Sequence, residues 1–201
     1  MKKVLSALAA ASLAVLLASC ETPRPGPPAV PGVRMPATQI QATPPQIPTA
    51  GPLTQAGVGK YMDAQEAELR ALMRGRGIMV VRRGNDLLVT FPNDKLFNGV
   101  TLSSTGQRFL EIIAPLLRKY DHTLVQVNGY TDTSGTPEQN LDVSQKRAAA
   151  VADVLTGLGV PDSRTEVHGF GATNLKVMTG DHVSEPRNRR IEIYIVPRPG
   201  G

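Results

Sequence analysis

The sequence predicts an α/β (α+β) protein in which helices pack on a sheet to form a two-layer sandwich. Two observations lead to this fold class. Apolar residues recur at helical spacing in two long segments, 102–120 and 137–159, and short runs rich in β-branched residues precede and follow them. The predicted order is β-α-β-α-β-β after an extra N-terminal hairpin strand, and about 120 residues are enough to bury one such core.

The predicted strands are short apolar runs bounded by turn residues. They cover residues 78–81, 87–91, 123–128, 165–169 and 191–196. Gly84 and Asn85 predict a tight hairpin turn between the first two strands. Ser103 or Ser104 caps the first long helix, and Pro115 inside that helix predicts a kink or a shortened helix.

The second long helix follows a turn of Thr, Ser, Gly and Pro residues that contains Asp132. Pro137 suits the first turn of a helix because its missing N–H would have no partner there. Asn140, Ser144 and Arg147 recur at i, i+4 and i+7 and therefore share one polar stripe. The stripe predicted to face the core consists of Leu141, Ala148, Val151, Val154, Leu155 and Leu158. Asp132 and Arg147 should thus lie near a strand end and a helix N-terminus, where ligands often bind in α/β folds.

Two interpretations of Asp132 and Arg147 follow from their spacing. A carboxylate attracts an ammonium group and a guanidinium fork matches a carboxylate, so the pair could hold a zwitterionic amino-acid head group. Alternatively, Asp132 only caps the helix and Arg147 is solvated, which is the usual fate of such residues. Spacing alone leaves both interpretations open.

Four motifs in the second half of the chain are more specific than this spacing. They read VNGYTDTSG from residue 127, NLDVSQKRAAAV from residue 140, VHGFGATN from residue 167 and PRNRRIEIYI from residue 186. Together they resemble the OmpA C-terminal-like family, a periplasmic domain that associates with peptidoglycan, over residues 86–196. The segment GKYMDAQEAELR, from residue 59, is similar to the segment before the domain in YiaD-like lipoproteins of that family.

The resemblance implies a binding site for the diaminopimelate of the peptidoglycan stem peptide. In that family the acid of the turn binds the amino group of diaminopimelate, and the helix arginine binds the carboxylate at the same carbon. By position these roles fall on Asp132 and Arg147. The family's supporting polar residues fall on Asp94, Ser134, Asn140, Asn188 and Arg189.

Two positions depart from the family pattern. Tyr130 stands where the family usually has histidine, beside the acid of the turn, so we expect altered packing more than lost binding. Pro92 and Asn93 stand where an acid-rich segment is common, so the contribution of this loop to binding is expected to differ.

The N-terminus predicts export and lipidation. Lys2 and Lys3 form a positive n-region, and residues 4–17 form an apolar h-region too short for a comfortable membrane span. Residues 17–20, Leu-Ala-Ser-Cys, resemble the lipobox of bacterial lipoproteins, which implies a signal peptide at residues 1–19 and cleavage before the cysteine. An ordinary secretory signal is the alternative.

Cys20 is the only cysteine, so no intramolecular disulfide can form. A lone cysteine at this position is best explained as the site of acylation. Residue 21 is Glu21, whereas an aspartate there is the usual signal for retention at the inner membrane. The sequence therefore favours a lipid anchor on the periplasmic face of the outer membrane.

Two segments precede the predicted domain of residues 78–201. Residues 20–58 form a tether, because ten of the 17 prolines lie there and no period could bury a core. Fully extended, this tether would reach roughly 110 Å. That length suits a lipid-anchored domain that must reach the cell wall. The alternative is that the proline-rich segment is a docking site for a partner protein. Residues 59–77 contain a short helix at 60–74, which we expect to pack against the domain or to pair with a copy of itself.

Charge and motifs argue against nucleic-acid binding and against catalysis. The signal peptide carries two of the 22 basic residues and none of the 17 acidic ones, which leaves +3 on the mature chain, scattered and without an aromatic platform. The three histidines lack metal-binding spacing, and Ser134 is outside a G-x-S-x-G elbow. Asp94 and Asp132 could form a pair for glycan hydrolysis, but the neighbouring arginine favours ligand binding. We expect no enzyme activity and no metal or other cofactor.

The sequence therefore predicts an outer-membrane lipoprotein that binds peptidoglycan non-covalently and ties the outer membrane to the cell wall. Its partners would be the stem peptide and, through the lipid, the outer membrane, with a homodimer or other envelope proteins left open. The alternative is a periplasmic assembly or chaperoning factor whose domain mainly binds protein. That alternative predicts weak wall binding and a need for the 60–74 helix in a partner complex.

Overall fold

The computed structural model describes residues 52–200. The helices are α1 (Val58–Met73), α2 (Asn93–Leu96), α3 (Ser104–Lys119) and α4 (Pro137–Gly157). The strands are β1 (Met79–Arg83), β2 (Asp86–Pro92), β3 (Phe97–Asn98), β4 (Thr101–Leu102), β5 (Thr123–Tyr130), β6 (Thr165–Gly169) and β7 (Arg190–Pro197). Within residues 52–200, no helix is long and apolar enough to cross a membrane. The predicted signal peptide, Cys20 and most of the predicted tether lie outside the described residues.

Five strands form one sheet in the order β1-β2-β7-β5-β6, and β3 and β4 form a separate small hairpin. Neighbouring strands of the large sheet run antiparallel, except that β5 and β6 run parallel. This mixed sheet with its helices confirms the predicted fold class. The sequence did not predict α2, β3 or β4, which are only two to four residues long and therefore show no recognisable period.

Local signals predicted most element boundaries to within a few residues. Gly84 and Asn85 connect β1 to β2, and Gly84 has φ 61°, a backbone conformation that favours glycine. Ser103 caps α3, since its hydroxyl accepts a hydrogen bond from the N–H of Gly106 at 3.0 Å. α3 continues through Pro115, so the helix is not shortened there. β6 has the predicted bounds.

The core lies between the helices and one face of the sheet. Alternate strand residues on this face are buried, namely Leu87, Val89 and Phe91 of β2 and Ile191, Ile193 and Ile195 of β7. Leu141 was predicted to face this core, but its side chain is 54% exposed, so that prediction is wrong. The buried stripe of α4 runs through Asn140, Ser144, Ala148, Val151 and Leu155. Leu141 is one position away from this stripe and therefore points elsewhere.

Helix α1 packs against the domain. Its large buried apolar side chains include Tyr61, Met62, Leu69 and Met73. The Tyr61 ring meets the Tyr120 ring edge-on, with 5.2 Å between centroids. The Glu68 carboxylate accepts hydrogen bonds from Lys119 at 2.6 Å and from the Tyr120 hydroxyl at 2.9 Å. α1 is therefore part of the same core, in agreement with the first of the two predictions for this helix.

The chain enters and leaves the domain at one end of the sheet. The N–H of Gly200 donates to the carbonyl of Leu53 at 3.0 Å, and the N–H of Arg198 donates to the carbonyl of His122 at 2.9 Å, just before β5 begins. β5 then runs for eight residues, roughly 23 Å, towards the turn that contains Asp132. The entry point of the domain and Asp132 therefore lie at opposite ends of the sheet.

Candidate functional site

The register of the central strands brings several predicted binding residues together. Arg190, the first residue of β7, lies opposite the last residues of both β2 and β5. The residues that continue these strands therefore meet at the same end of the sheet. They are Asp94 in α2, Asp132 in the turn after β5, and Arg189 just before β7.

Arg189 joins the two acids. One guanidinium nitrogen lies 2.7 Å from a carboxylate oxygen of Asp132, and the other lies 3.2 Å from a carboxylate oxygen of Asp94. Asp132 also accepts hydrogen bonds from the Ser134 hydroxyl at 2.5 Å, from the Ser134 N–H at 3.2 Å and from the Glu185 N–H at 3.1 Å. Because the Asp132 side chain is almost fully buried, these charge-assisted bonds take the place of water.

The same contacts determine the charge of both groups. Burial raises the pKa of Asp132, but hydrogen bonds from Ser134, Arg189 and the N–H of Glu185 outweigh it, so this pKa lies below its ordinary value. The hydrogen bond to Asp132 raises the pKa of Arg189 in spite of its partial burial. Both groups are therefore ionised at neutral pH.

The helix-capping interpretation of Asp132 is wrong. Thr136 is the N-cap of α4, and its hydroxyl accepts a hydrogen bond from the N–H of Gln139 at 3.2 Å. The Gln139 side chain accepts one in return from the N–H of Thr136 at 3.0 Å. This reciprocal capping box satisfies the start of the helix, and the Asp132 carboxylate is bonded to Arg189 instead.

Arg147 reaches the same region from α4 but is not bonded to Asp132. Its Nε donates to the carbonyl of Gly99 at 2.9 Å, and its guanidinium lies 5.9 Å from the centroid of the Phe97 ring. Burial lowers the pKa of Arg147 and the positive charge of Arg189 lowers it further, whereas the two nearby acids act in the opposite direction. Within residues 52–200, no carboxylate forms an ion pair with this partly buried cation.

The other predicted site residues have separate local roles. Ser134 contacts the buried carboxylate directly, as described above. Asn140 is buried, and its amide donates to the carbonyl of Gly135 at 3.2 Å, which holds the turn before α4. Asn188 is fully buried and bonds both the N–H and the carbonyl of Val177 at 2.8 Å. Asn188 therefore holds the loop between β6 and β7 through both the oxygen and the nitrogen of its side-chain amide.

Thr133 and Ser184 also take part in the site, although no sequence pattern predicted them. The Thr133 hydroxyl donates to the carbonyl of Gly180 at 2.7 Å and so attaches the loop between β6 and β7 to the turn. The Ser184 hydroxyl lies 3.4 Å from the Asp132 carboxylate and accepts a hydrogen bond from Arg189 at 3.0 Å. This loop contains neither helix nor strand, so no periodicity signals which of its residues approach the acid.

Tyr130 and Asn93, at the two departures from the family pattern, both take part in packing. The Tyr130 ring stacks on Phe170 with 5.2 Å between centroids, and the Arg190 guanidinium lies 3.8 Å from the Tyr130 centroid. Burial raises the pKa of Tyr130 to about 12. On the other side, Asn93 is buried and its N–H donates to the carbonyl of Arg189 at 3.0 Å. Both positions therefore support the sheet end that carries the two acids.

Two cavities adjoin this cluster. One, of about 530 Å³, lies between the start of α4 and the loop after β6, with Thr133, Asn140, Leu141 and Phe170 in its lining. The other, of about 510 Å³, includes Asp94 and Arg189. Across residues 52–200, no group of three or more His, Cys, Asp or Glu side chains is arranged to hold a metal ion.

Comparison with known proteins shows which family the central part of this domain matches. Residues 96–189 match the OmpA family. The chain contains an OmpA-like domain. The match includes Asp132, Arg147, Asn140 and Arg189 but ends before β7, and it leaves out α1, β1 and β2. The OmpA-like domain of this chain is thus completed by strands on both sides of the matched segment.

Three proteins are similar to this OmpA-like domain and its surroundings. "Probable lipoprotein YiaD" of Escherichia coli (strain K12) is 40% identical over 143 residues, which are 70% of this chain and 65% of that protein. "Peptidoglycan-binding protein ArfA" of Mycobacterium tuberculosis (strain H37Rv) is 31% identical over 107 residues, 53% of this chain and 32% of that protein. The structure of the cell wall anchor of the T6SS from Pseudomonas aeruginosa superposes with a TM-score of 0.57 at 27% identity, covering 66% of this chain and 97% of that one. The chain spans less than two thirds of the length of these curated relatives.

Proposed function

We propose that this chain is an outer-membrane lipoprotein whose OmpA-like domain binds peptidoglycan non-covalently. The domain takes the diaminopimelate of the stem peptide and so ties the outer membrane to the cell wall, without catalysis. The clustering of two carboxylates and two guanidinium groups, from Asp94, Asp132, Arg147 and Arg189, carries this proposal. The names of the similar proteins support it, since they include a lipoprotein, a peptidoglycan-binding protein and a cell wall anchor.

The chemistry of the ligand matches the charges of the cluster. A diaminopimelate head group carries an ammonium and a carboxylate on one carbon, so its binding requires an acid and a base close together. Asp132 is an acid whose depressed pKa keeps it ionised at neutral pH. Arg147 is a cation that forms no carboxylate ion pair among residues 52–200. The ammonium therefore binds Asp132 and the carboxylate binds the fork of Arg147.

Arg189 makes room for the ligand by giving up one of its two carboxylate partners. In the free domain it bonds Asp132 through one nitrogen and Asp94 through the other. When the ligand ammonium approaches Asp132, Arg189 can release that contact and remain paired with Asp94. One cation replaces another beside the same buried carboxylate, so Asp132 is never left as an unpaired buried charge.

The positions of Leu53 and Asp132 in the domain support a role in linking the outer membrane to the cell wall. Leu53 lies at the end of the sheet opposite Asp132, roughly 23 Å away along β5. A domain held from Leu53 by the predicted tether has Asp132 at its far end. The assembly-factor alternative required α1 for a partner, but the apolar side chains of α1 are buried in the core of the domain itself.

The test is a calorimetric titration of the full-length protein in detergent with two stem peptides. One contains diaminopimelate, and the other contains lysine, which lacks the carboxylate beside its terminal ammonium. We expect saturable binding of the first peptide and at least about tenfold weaker binding of the second. Asp132→Ala and Arg147→Ala should each weaken binding of the first peptide by about tenfold or more.

Matched controls come from the same helix. Asp142 and Lys146 form an exposed ion pair on α4 at 2.7 Å, and Asp142→Ala and Lys146→Ala should bind like the wild type. If the folded wild-type protein binds neither peptide and does not bind whole sacculi, the proposal is wrong. Release of soluble fragments from sacculi would instead indicate an enzyme.

A further inference from the structure

The 510 Å³ cavity opens on the sheet face that is turned away from the helices. Thr90 of β2 and Met79 of β1 lie opposite each other in the register, and both line the cavity. On β2, Thr90 alternates with core residues that face the helices, so its side chain belongs to the other face. Asp94 and Arg189 also line the cavity. It is therefore continuous with the proposed site for diaminopimelate.

The cavity has a positively charged lining. It contains four cations, Lys176, Arg187, Arg189 and Arg190, and one acid, Asp94. Each of the three arginines has a carboxylate partner at 2.7 or 2.8 Å. Lys176 differs, because Glu192 lies 3.7 Å from its ammonium and is already bonded to Arg190 at 2.7 Å.

Lys176 therefore has the capacity to bind a further anion. Burial lowers the pKa of Lys176, Glu192 opposes this change, and the positive charges of Arg190 and Arg83 lower the pKa further. Lys176 and Arg190 thus share the one carboxylate of Glu192, and the positive charge of Arg83 also acts on Lys176. An anion in the cavity would reduce the repulsion among them.

Thr90 points to a ligand independently of these charges. Its side chain is only 7% exposed, and its hydroxyl has no hydrogen-bond partner within residues 52–200. Buried hydroxyl groups are normally paired, because an unpaired one loses its hydration without compensation. A carboxylate oxygen in the cavity would accept a hydrogen bond from Thr90.

We infer that this cavity is a second anion subsite for the same ligand. It binds a carboxylate of the stem peptide other than the one in the diaminopimelate head group. The Lys176 ammonium is the counter-ion, and the Thr90 hydroxyl is the hydrogen-bond donor. This inference rests on the proposed function, since diaminopimelate at Asp132 and Arg147 is what brings the rest of the peptide to the cavity.

The test uses two stem peptides that both contain diaminopimelate and differ in one group. In the first, a carboxylate outside the diaminopimelate residue is free; in the second, it is amidated. Calorimetric titration of the full-length protein in detergent should show about tenfold tighter binding of the first peptide. Lys176→Gln should reduce this preference to about twofold and leave the affinity for the amidated peptide nearly unchanged.

Two further variants separate the subsite from general effects. Thr90→Val removes the unpaired hydroxyl, so it should reduce the preference without lowering the melting temperature. Lys60→Gln removes the same charge from an exposed position on α1 and should keep the full preference. Equal affinity of the wild type for both peptides, or an undiminished preference in Lys176→Gln, would overturn the subsite alone. Absence of binding to either peptide would overturn the proposed function and the subsite with it.

Discussion

At the scale of single residues, Asp132 connects folding and binding. Its carboxylate accepts hydrogen bonds from two segments, through Ser134 in its own turn and through Glu185 and Arg189 in the loop between β6 and β7. These bonds favour the ionised form and hold its pKa below the ordinary value. The stability of the folded domain should therefore depend on the ionisation of this one buried acid.

Replacing Asp132 by asparagine should destabilise the domain in a pH-dependent way. Asp132→Asn should lower the free energy of unfolding at neutral pH by about 1–3 kcal/mol, because an amide loses the charge-assisted bond to Arg189. The pKa of Asp132 is lower in the folded domain than in the unfolded chain, so its stabilising contribution is complete above about pH 4. That contribution is lost as the pH falls through the folded-state pKa. Urea unfolding at about pH 7, 5 and 3 should show the two proteins converging on acidification.

The control for this comparison is Asp142→Asn. It removes the same charge from an exposed pair with Lys146 and should change the free energy of unfolding by less than about 0.5 kcal/mol. The electrostatic origin of the destabilisation would be ruled out if wild type and Asp132→Asn differed in free energy of unfolding by the same amount at neutral and at acidic pH.

At the scale of elements, α4 packs directly against the sheet, because two strands carry glycines where they meet this helix. A side chain on Gly129 of β5 would overlap the carbonyl of Ser144, and one on Gly169 of β6 would overlap the backbone of Gln145. Ser144 is fully buried, and its hydroxyl accepts a hydrogen bond from the N–H of Gly171 at 2.9 Å. This close contact fixes the height of α4 above the strands and thereby the position of Arg147 relative to the turn.

Adding one methyl group at this contact should therefore be costly. Gly129→Ala should lower the free energy of unfolding by about 1–3 kcal/mol, because the overlap is with backbone atoms that cannot move aside without shifting α4. The matched control is Gly157→Ala at the end of the same helix, where a side chain meets no atom within 4 Å. That substitution should stabilise the domain by up to about 1 kcal/mol, since alanine is a better helix former. Urea unfolding of both variants would measure the contrast, and equal effects would show that α4 is not in tight contact with β5.

At the scale of the whole domain, α1 completes the core although it lies outside the segment that matches the OmpA family. Its buried side chains contact the same cluster as β2, α3 and β7. α1 also bonds the domain through a polar group, since the Tyr61 hydroxyl accepts a hydrogen bond from the N–H of His122 at 3.1 Å. The domain boundary predicted at residue 78 should therefore cut through a packed interface.

Truncating the chain at residue 78 tests whether α1 is part of the core. A fragment of residues 78–200 should lose at least about 3 kcal/mol of stability relative to residues 52–200, because several large apolar side chains of α1 would leave the core. Circular dichroism melts of the two fragments would measure the difference in melting temperature. Cooperative unfolding of both fragments at the same temperature would show that α1 contributes little to the core.

The sequence by itself determined the long helices and the five strands of the large sheet. The Gly84–Asn85 turn, the start of α4 at Pro137 and the bounds of β6 followed from turn chemistry and periodicity, which act between residues close in the chain. Asp132, Arg147, Asp94 and Arg189 were predicted as site residues from the resemblance to the OmpA C-terminal-like family, and the structure brings them to one end of the sheet. What these residues bind remains a prediction.

Only the tertiary structure decided which groups are partners. β7 lies between β2 and β5, and this register joins Arg189 to Asp94 and Asp132, which lie 95 and 57 residues away in the chain. The exposure of Leu141 likewise depends on which stripe of α4 meets the glycines of β5 and β6. Such pairings arise from contacts between distant segments, where burial and register act together, and local spacing carries no information about them.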